Sequence, residues 1–150
     1  MNFVQLHLVL THFPPVLSLE CVVAAVAAHM VRTRRRDLVR VALFLMIGTC
    51  AMMPAIYFAG VKTSEVIGKV EGIQQEAIAP HQHAALIALY VSIAMIVIAV
   101  ALLIAERRQA GLSFSLRLLV LVLAAGLAGT IGWTASRGGA IHHPEVSAAR

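Results

Sequence analysis

Charge is what this chain has least of. Only 13% of its 150 residues are charged, aromatics make up 5%, and cysteine occurs twice. The scarcity of charge is concentrated in four stretches, 13–31, 41–60, 84–105 and 118–135, which share a single acidic or basic residue, Glu20. Such runs exclude an ordinary soluble domain, and the 60% hydrophobic content exceeds the roughly 45–50% usual for one. The two cysteines lack the paired spacing of a zinc module or a c-type haem attachment site. Cys21 and Cys50 lie inside apolar runs and read as small buried residues, with a membrane-embedded disulfide or thiolate ligand as the other reading. Because the few aromatics are not interleaved with basic residues, the net charge of +5 does not indicate a nucleic-acid surface.

What is present is apolar length. A hydrocarbon core of about 30 Å is crossed by roughly 20 helical residues. The runs are rich in Ala and Leu, continuous, and too long for barrel strands of about 10 residues. The expectation is an all-α, four-transmembrane-helix bundle forming one domain, 1–150, with helices over about 4–32, 38–61, 81–106 and 116–136. Between the second and third helices, an outer loop at 62–80 places Val66, Ile67, Val70 and Ile73 at helical spacing. It reads as a short amphipathic helix on the membrane surface, with a tail at 137–150 after the fourth helix.

The basic residues set the expected orientation. Arg32, Arg34, Arg35, Arg36 and Arg40 follow the first run, and Arg107, Arg108 and Arg117 flank the turn between the third and fourth. The positive-inside rule puts both turns in the cytoplasm and both termini on the periplasmic side of a bacterial inner membrane. MNFVQLH carries no positive charge ahead of the first run, so that run reads as a retained span rather than a signal peptide.

On that topology six of the seven histidines fall on the outer side: His7 and His12, His81 and His83, His142 and His143, leaving His29 inside. Interface histidines often do no more than reach headgroups, but three pairs from three separate spans make a cluster worth testing. At 3.6 residues per turn His81 and His83 point to nearly opposite sides, so at most one faces the interior, and His7 and His12 stand about 140° apart. Pro80 is expected in the first turn of the third helix, where its missing N–H costs nothing. Pro14 and Pro15 either bend a continuous helix by freeing the carbonyls of Leu10 and Thr11, or start a helix near Phe13 and leave His7 on a preceding segment.

A four-helix bundle can present one or two axial imidazoles to haem b from facing helices, so the expected cofactor is one haem b or two. His12 and His83 are the leading axial pair, with His7 and His143 second. Copper or zinc on the same four residues is the alternative, and Glu145 beside His143 could join a zinc site. Gly126, Gly129 and Gly132 form a smooth strip that would suit either a flat macrocycle or close helix packing. Glu20, about 12 Å along the helix from His12, is an ionisable group in mid-membrane. It reads either as a proton or quinone site, or as a carboxyl bonded to a neighbouring helix through Thr49 or to another subunit.

The segments LHLVLTHFPP, HQHAALIAL and GWTASRGGAIHHPEV resemble an uncharacterised family of small four-helix bacterial membrane proteins. Its members open with His-Pro-x-x-x-His-Phe-Pro and close the fourth helix with a Gly-Gly motif. His7, His12, His83 and the segment from Gly138–Gly139 to His143 match that pattern, whereas Leu8 stands where the family has proline. Some relatives are linked to Rieske or c-type cytochrome modules, so the resemblance implies an electron-transfer setting. The expectation is therefore an electron-transfer subunit between membrane quinol and a periplasmic redox protein or larger membrane complex, with a purely structural small subunit as the rival.

Overall fold

The computed structural model describes residues 2–67, 73, 75–109 and 111–142, and among these every regular element is helical. The elements are α1 (Phe3–Leu10), α2 (Phe13–Met30), α3 (Arg35–Ile67), α4 (Gln75–Arg108) and α5 (Phe114–His142), with a 3₁₀ turn at Arg32–Arg34 before α3. Four spans, Phe3–Met30, Arg32–Ile67, Gln75–Arg108 and Phe114–Ile141, are long and apolar enough to cross a membrane. No more than 39% of any of these spans' most apolar windows is buried inside the bundle. The rest presents Val16, Leu19, Val23, Phe58 and Val97 outward, a surface suited to lipid and not to water.

Local chemistry sets the ends. Asn2 and Gln5 form a reciprocal capping box at the start of α1, at 2.9 and 3.2 Å. The first span is divided, because Pro14 and Pro15 cannot donate to Leu10 and Thr11 and therefore open α2 afresh. His7 thus lies on a separate short helix, the second of the two alternatives the prolines left open. The break orphans the Leu8 carbonyl, which accepts instead from the Thr11 hydroxyl at 3.0 Å and from His12 Nδ1 at 2.6 Å. Val31 is extended and ends α2. After α4 the Gly111 N–H returns to the Glu106 carbonyl at 3.1 Å with φ +137°, a conformation that favours glycine. Ser113 then caps α5 by accepting from the Leu116 N–H.

Two boundaries differ from the sequence expectation. Residues 62–67 extend α3 and residues 75–80 begin α4, so most of the expected loop helix is instead the ends of two long helices; Val70 lies outside the described residues. Buried Thr63, bonded to the Ala59 carbonyl, and the Lys62–Glu65 pair keep α3 helical past the apolar run. Pro80 consequently lies inside α4 and not in its first turn, and Pro54 likewise lies inside α3. At the other end α5 continues through both glycines of the Gly-Gly pair as far as His142.

The packing is a ring. α2 touches α3 and α5, α4 touches α3 and α5, and α3 meets α5 across the middle. Alanines such as Ala24, Ala28, Ala42, Ala88, Ala99 and Ala124 line the contacts and let the backbones approach. Both cysteines are buried and free, and the Cys21 thiol donates to the Ala42 carbonyl. α1 stands at the edge of the ring: its backbone runs beside α3 and its own successor α2, and its Leu10 packs against the cluster of Met53, Ile56, Ala88 and Leu89.

Candidate functional site: two matched histidines

Two imidazoles at this end of the bundle are held in the same way. His7 on α1 lies against α3, its Nδ1 3.1 Å from the Ile56 carbonyl, and His81 on α4 lies against α5, its Nδ1 3.2 Å from the Thr134 carbonyl. In both cases the acceptor is four residues ahead of a glycine, Gly60 and Gly138. An α-helical carbonyl already accepts from the N–H four residues on, so the imidazole takes its second lone pair. That brings the ring against the Cα of the residue four ahead, where a side chain would obstruct it. A Cβ added to Gly60 would lie 2.8 Å from His7 Cε1, and one added to Gly138 would lie 3.0 Å from His81 Cε1.

The bonding also settles the tautomer. A carbonyl only accepts, so Nδ1 of each ring carries its proton, and Nε2 of the neutral imidazole keeps its lone pair. Among the described residues neither Nε2 has a hydrogen-bond partner. Three further bonds stiffen the backing: the Thr63 hydroxyl reaches the Phe3 carbonyl at 3.3 Å, Gln82 donates to Ser64 at 2.8 Å, and the Thr134 hydroxyl donates to the Ala84 carbonyl at 3.4 Å. The result is two imidazoles on separate helices, each aimed by a backbone carbonyl and each with a free nitrogen, the arrangement common to metal-ligating histidines.

The other candidates are placed differently. His12 is exposed and engaged with its own preceding helix at Leu8, so its visible work is to satisfy a carbonyl stranded by the proline break. His83 is exposed on the opposite side of α4 from His81. His7 and His81 are thus each bonded to a neighbouring helix, whereas His12 and His83 are both exposed. His143 and Glu145 lie outside the described residues. Glu20 is exposed on α2 between Leu19 and Val23; buried Thr49 donates to the Leu45 carbonyl, so the expected Glu20–Thr49 pairing is absent. Of the glycine strip, Gly126 packs against Met95 of α4, with 3.6 Å between an added Cβ and Cε, whereas Gly129 and Gly132 have nothing within 4 Å of an added Cβ. Among the described residues no three His, Cys, Asp or Glu side chains gather into a metal site.

The stripe Ala84, Ala88, Ser92, Met95, Ala99 marks the buried side of α4, and His81 sits one turn ahead of it. His83 is in phase with Ile87 and Tyr90, which are exposed. That phase was available in the sequence. The importance of Gly60 was not, because nothing in its neighbourhood names an imidazole 53 positions away.

The glycines give a prediction. Gly60→Ala is expected to dislodge the His7 ring and break its bond to Ile56, while costing the fold only about 1 kcal/mol, since one hydrogen bond is lost at a partly exposed site. Gly138→Ala should act in the same direction on His81 but more weakly, its nearest approach being longer. The nitrogen resonances of the two rings, read by NMR in detergent, check the order.

Compared with known proteins, the chain matches no family model, no curated protein and no solved structure.

Proposed function

We propose that the protein is a b-type-cytochrome-like membrane subunit, with one haem b held between His7 and His81, passing electrons between quinol and a periplasmic carrier or partner subunit. The observation that carries this reading is the matched pair of carbonyl-anchored imidazoles, each with Nε2 uncommitted. The donor set favours haem over a bare metal ion. A structural zinc site wants four protein ligands and a catalytic one three, whereas haem brings four nitrogens of its own and asks the protein for two. Two such carbonyl-anchored imidazoles are what the described residues offer at this end.

When bound, the haem supplies a one-electron iron couple. The protein's own part is to fix the tautomer and direction of both rings. Imidazoles at both axial positions leave no place for a substrate, which suits electron transfer and not catalysis. The arginine turns share the opposite end of the bundle from His7 and His81, and the positive-inside rule then turns the histidine end to the periplasm. Glu20 is exposed on the face that meets lipid, where quinol dissolves, and is the group on that face able to take up a proton released on quinol oxidation.

The test is a reduced-minus-oxidised absorption spectrum of the detergent-purified protein, with pyridine extraction and elemental analysis. Haem b bands with stoichiometric iron are expected. Stoichiometric copper or zinc without haem would establish the metal-handling alternative, and no cofactor at all would leave a structural subunit.

A further inference from the structure

The end of the bundle opposite the histidines carries a second built feature. Arg32 from the 3₁₀ turn, Arg35 and Arg36 from the start of α3, and Arg117 from the first turn of α5 line a single pocket of about 280 Å³, with Gly111 and Glu106 in its wall. Four guanidiniums against one carboxylate leave three positive charges uncompensated. Even that carboxylate is committed: Glu106 is fully buried and accepts from Arg36 and, at 2.7 Å, from Arg40. Arg35 and Arg117 meet only backbone, the carbonyls of Ala28 and Leu112, at 3.3 and 2.6 Å. Arg117 Nε is buried and without a partner. Among the described residues neither Arg32, Arg35 nor Arg117 has an acidic counterpart.

Orientation by the positive-inside rule asks only for charge near the headgroups, carried on exposed side chains. It does not ask for guanidiniums from three elements to converge, nor for a donor to be enclosed without an acceptor. We propose that this pocket is a binding site for a phosphate group, taken by Arg32, Arg35 and Arg117 while Glu106 holds Arg36 in place. Guanidinium forks match phosphate oxygens in geometry as well as charge. The source is either the headgroup of an anionic phospholipid or a soluble phosphate.

The experiment uses the full chain in neutral detergent, titrated with phosphatidylglycerol in mixed micelles or with inorganic phosphate, and reads thermal stability. Anionic lipid or phosphate raises the melting temperature of the wild type, and which of the two does so names the source. Arg35→Gln/Arg117→Gln weakens the apparent affinity at least about tenfold, because each lost contact is a charge-assisted hydrogen bond. Arg107→Gln/Arg108→Gln removes the same charge from exposed positions outside the pocket and leaves the affinity unchanged. Should the first double variant fail to fold, Arg32→Gln, exposed and outside any ion pair, takes its place. The proposal is overturned if neither additive stabilises the wild type, or if both sets of variants lose affinity equally, which is bulk attraction and no site.

Discussion

Removal of His7 and His81 together as alanines is expected to abolish the haem bands of the purified protein, whereas removal of His12 and His83 is expected to leave them. The difference follows from what each ring is bonded to. Nδ1 of His7 and of His81 reaches a carbonyl on a neighbouring helix, so each ring is oriented by tertiary packing and presents Nε2 away from that helix. His12 is bonded to Leu8 within its own stretch of chain, and His83 is exposed. His12→Ala should therefore cost stability and not cofactor, about 1 kcal/mol for the hydrogen bond to Leu8. Haem content by pyridine extraction, set beside the melting temperature of each variant, separates the two effects. Bands that survive the loss of His7 and His81 but not of His12 and His83 would return the site to the outer pair.

The largest effect on stability is expected from Arg36→Gln/Arg40→Gln. Glu106 has no exposed side-chain surface, whereas the side chains of Arg36 and Arg40 are 43% and 35% exposed. The two sides of the cluster are therefore unequal. Deleting the carboxylate leaves two guanidiniums that can still turn toward water, but deleting both guanidiniums leaves a buried carboxylate without its two hydrogen-bonded partners. Breaking a buried pair from that side costs about 3–5 kcal/mol. Glu106→Gln should cost less, and a single Arg36→Gln or Arg40→Gln less again, since one cation remains. Thermal unfolding in detergent of these four variants checks the ranking, and equal losses from the two sides would contradict it.

The spans were legible because apolar length is a local property. Runs such as 84–105 announce a membrane helix wherever their neighbours lie. The division of the first span was legible in part, since Pro14 and Pro15 had to bend or restart the helix, and the choice between those was left to packing. The extension of α3 beyond residue 60 was not legible: KTSEVI reads as part of a separate surface-lying helix until Thr63 is seen buried with its hydroxyl on the Phe3 carbonyl. Glu106 carried as little warning. At the polar end of a helix it looks like a solvated residue, and it is a buried anchor because Arg36 and Arg40 converge on it from α3.

By itself the sequence determined that four apolar helices form, that the arginines gather at one end and most histidines at the other, and that the first span bends or restarts at the paired prolines. All of these follow from periodicity, charge and ring constraints acting within a few turns of chain. Only the tertiary structure decided which histidines are anchored on a neighbouring helix. That choice depends on the rotation of α1 and α4 about their axes, set by how alanine-lined faces seat against one another, and on glycines of other helices that leave room for a ring beside a carbonyl.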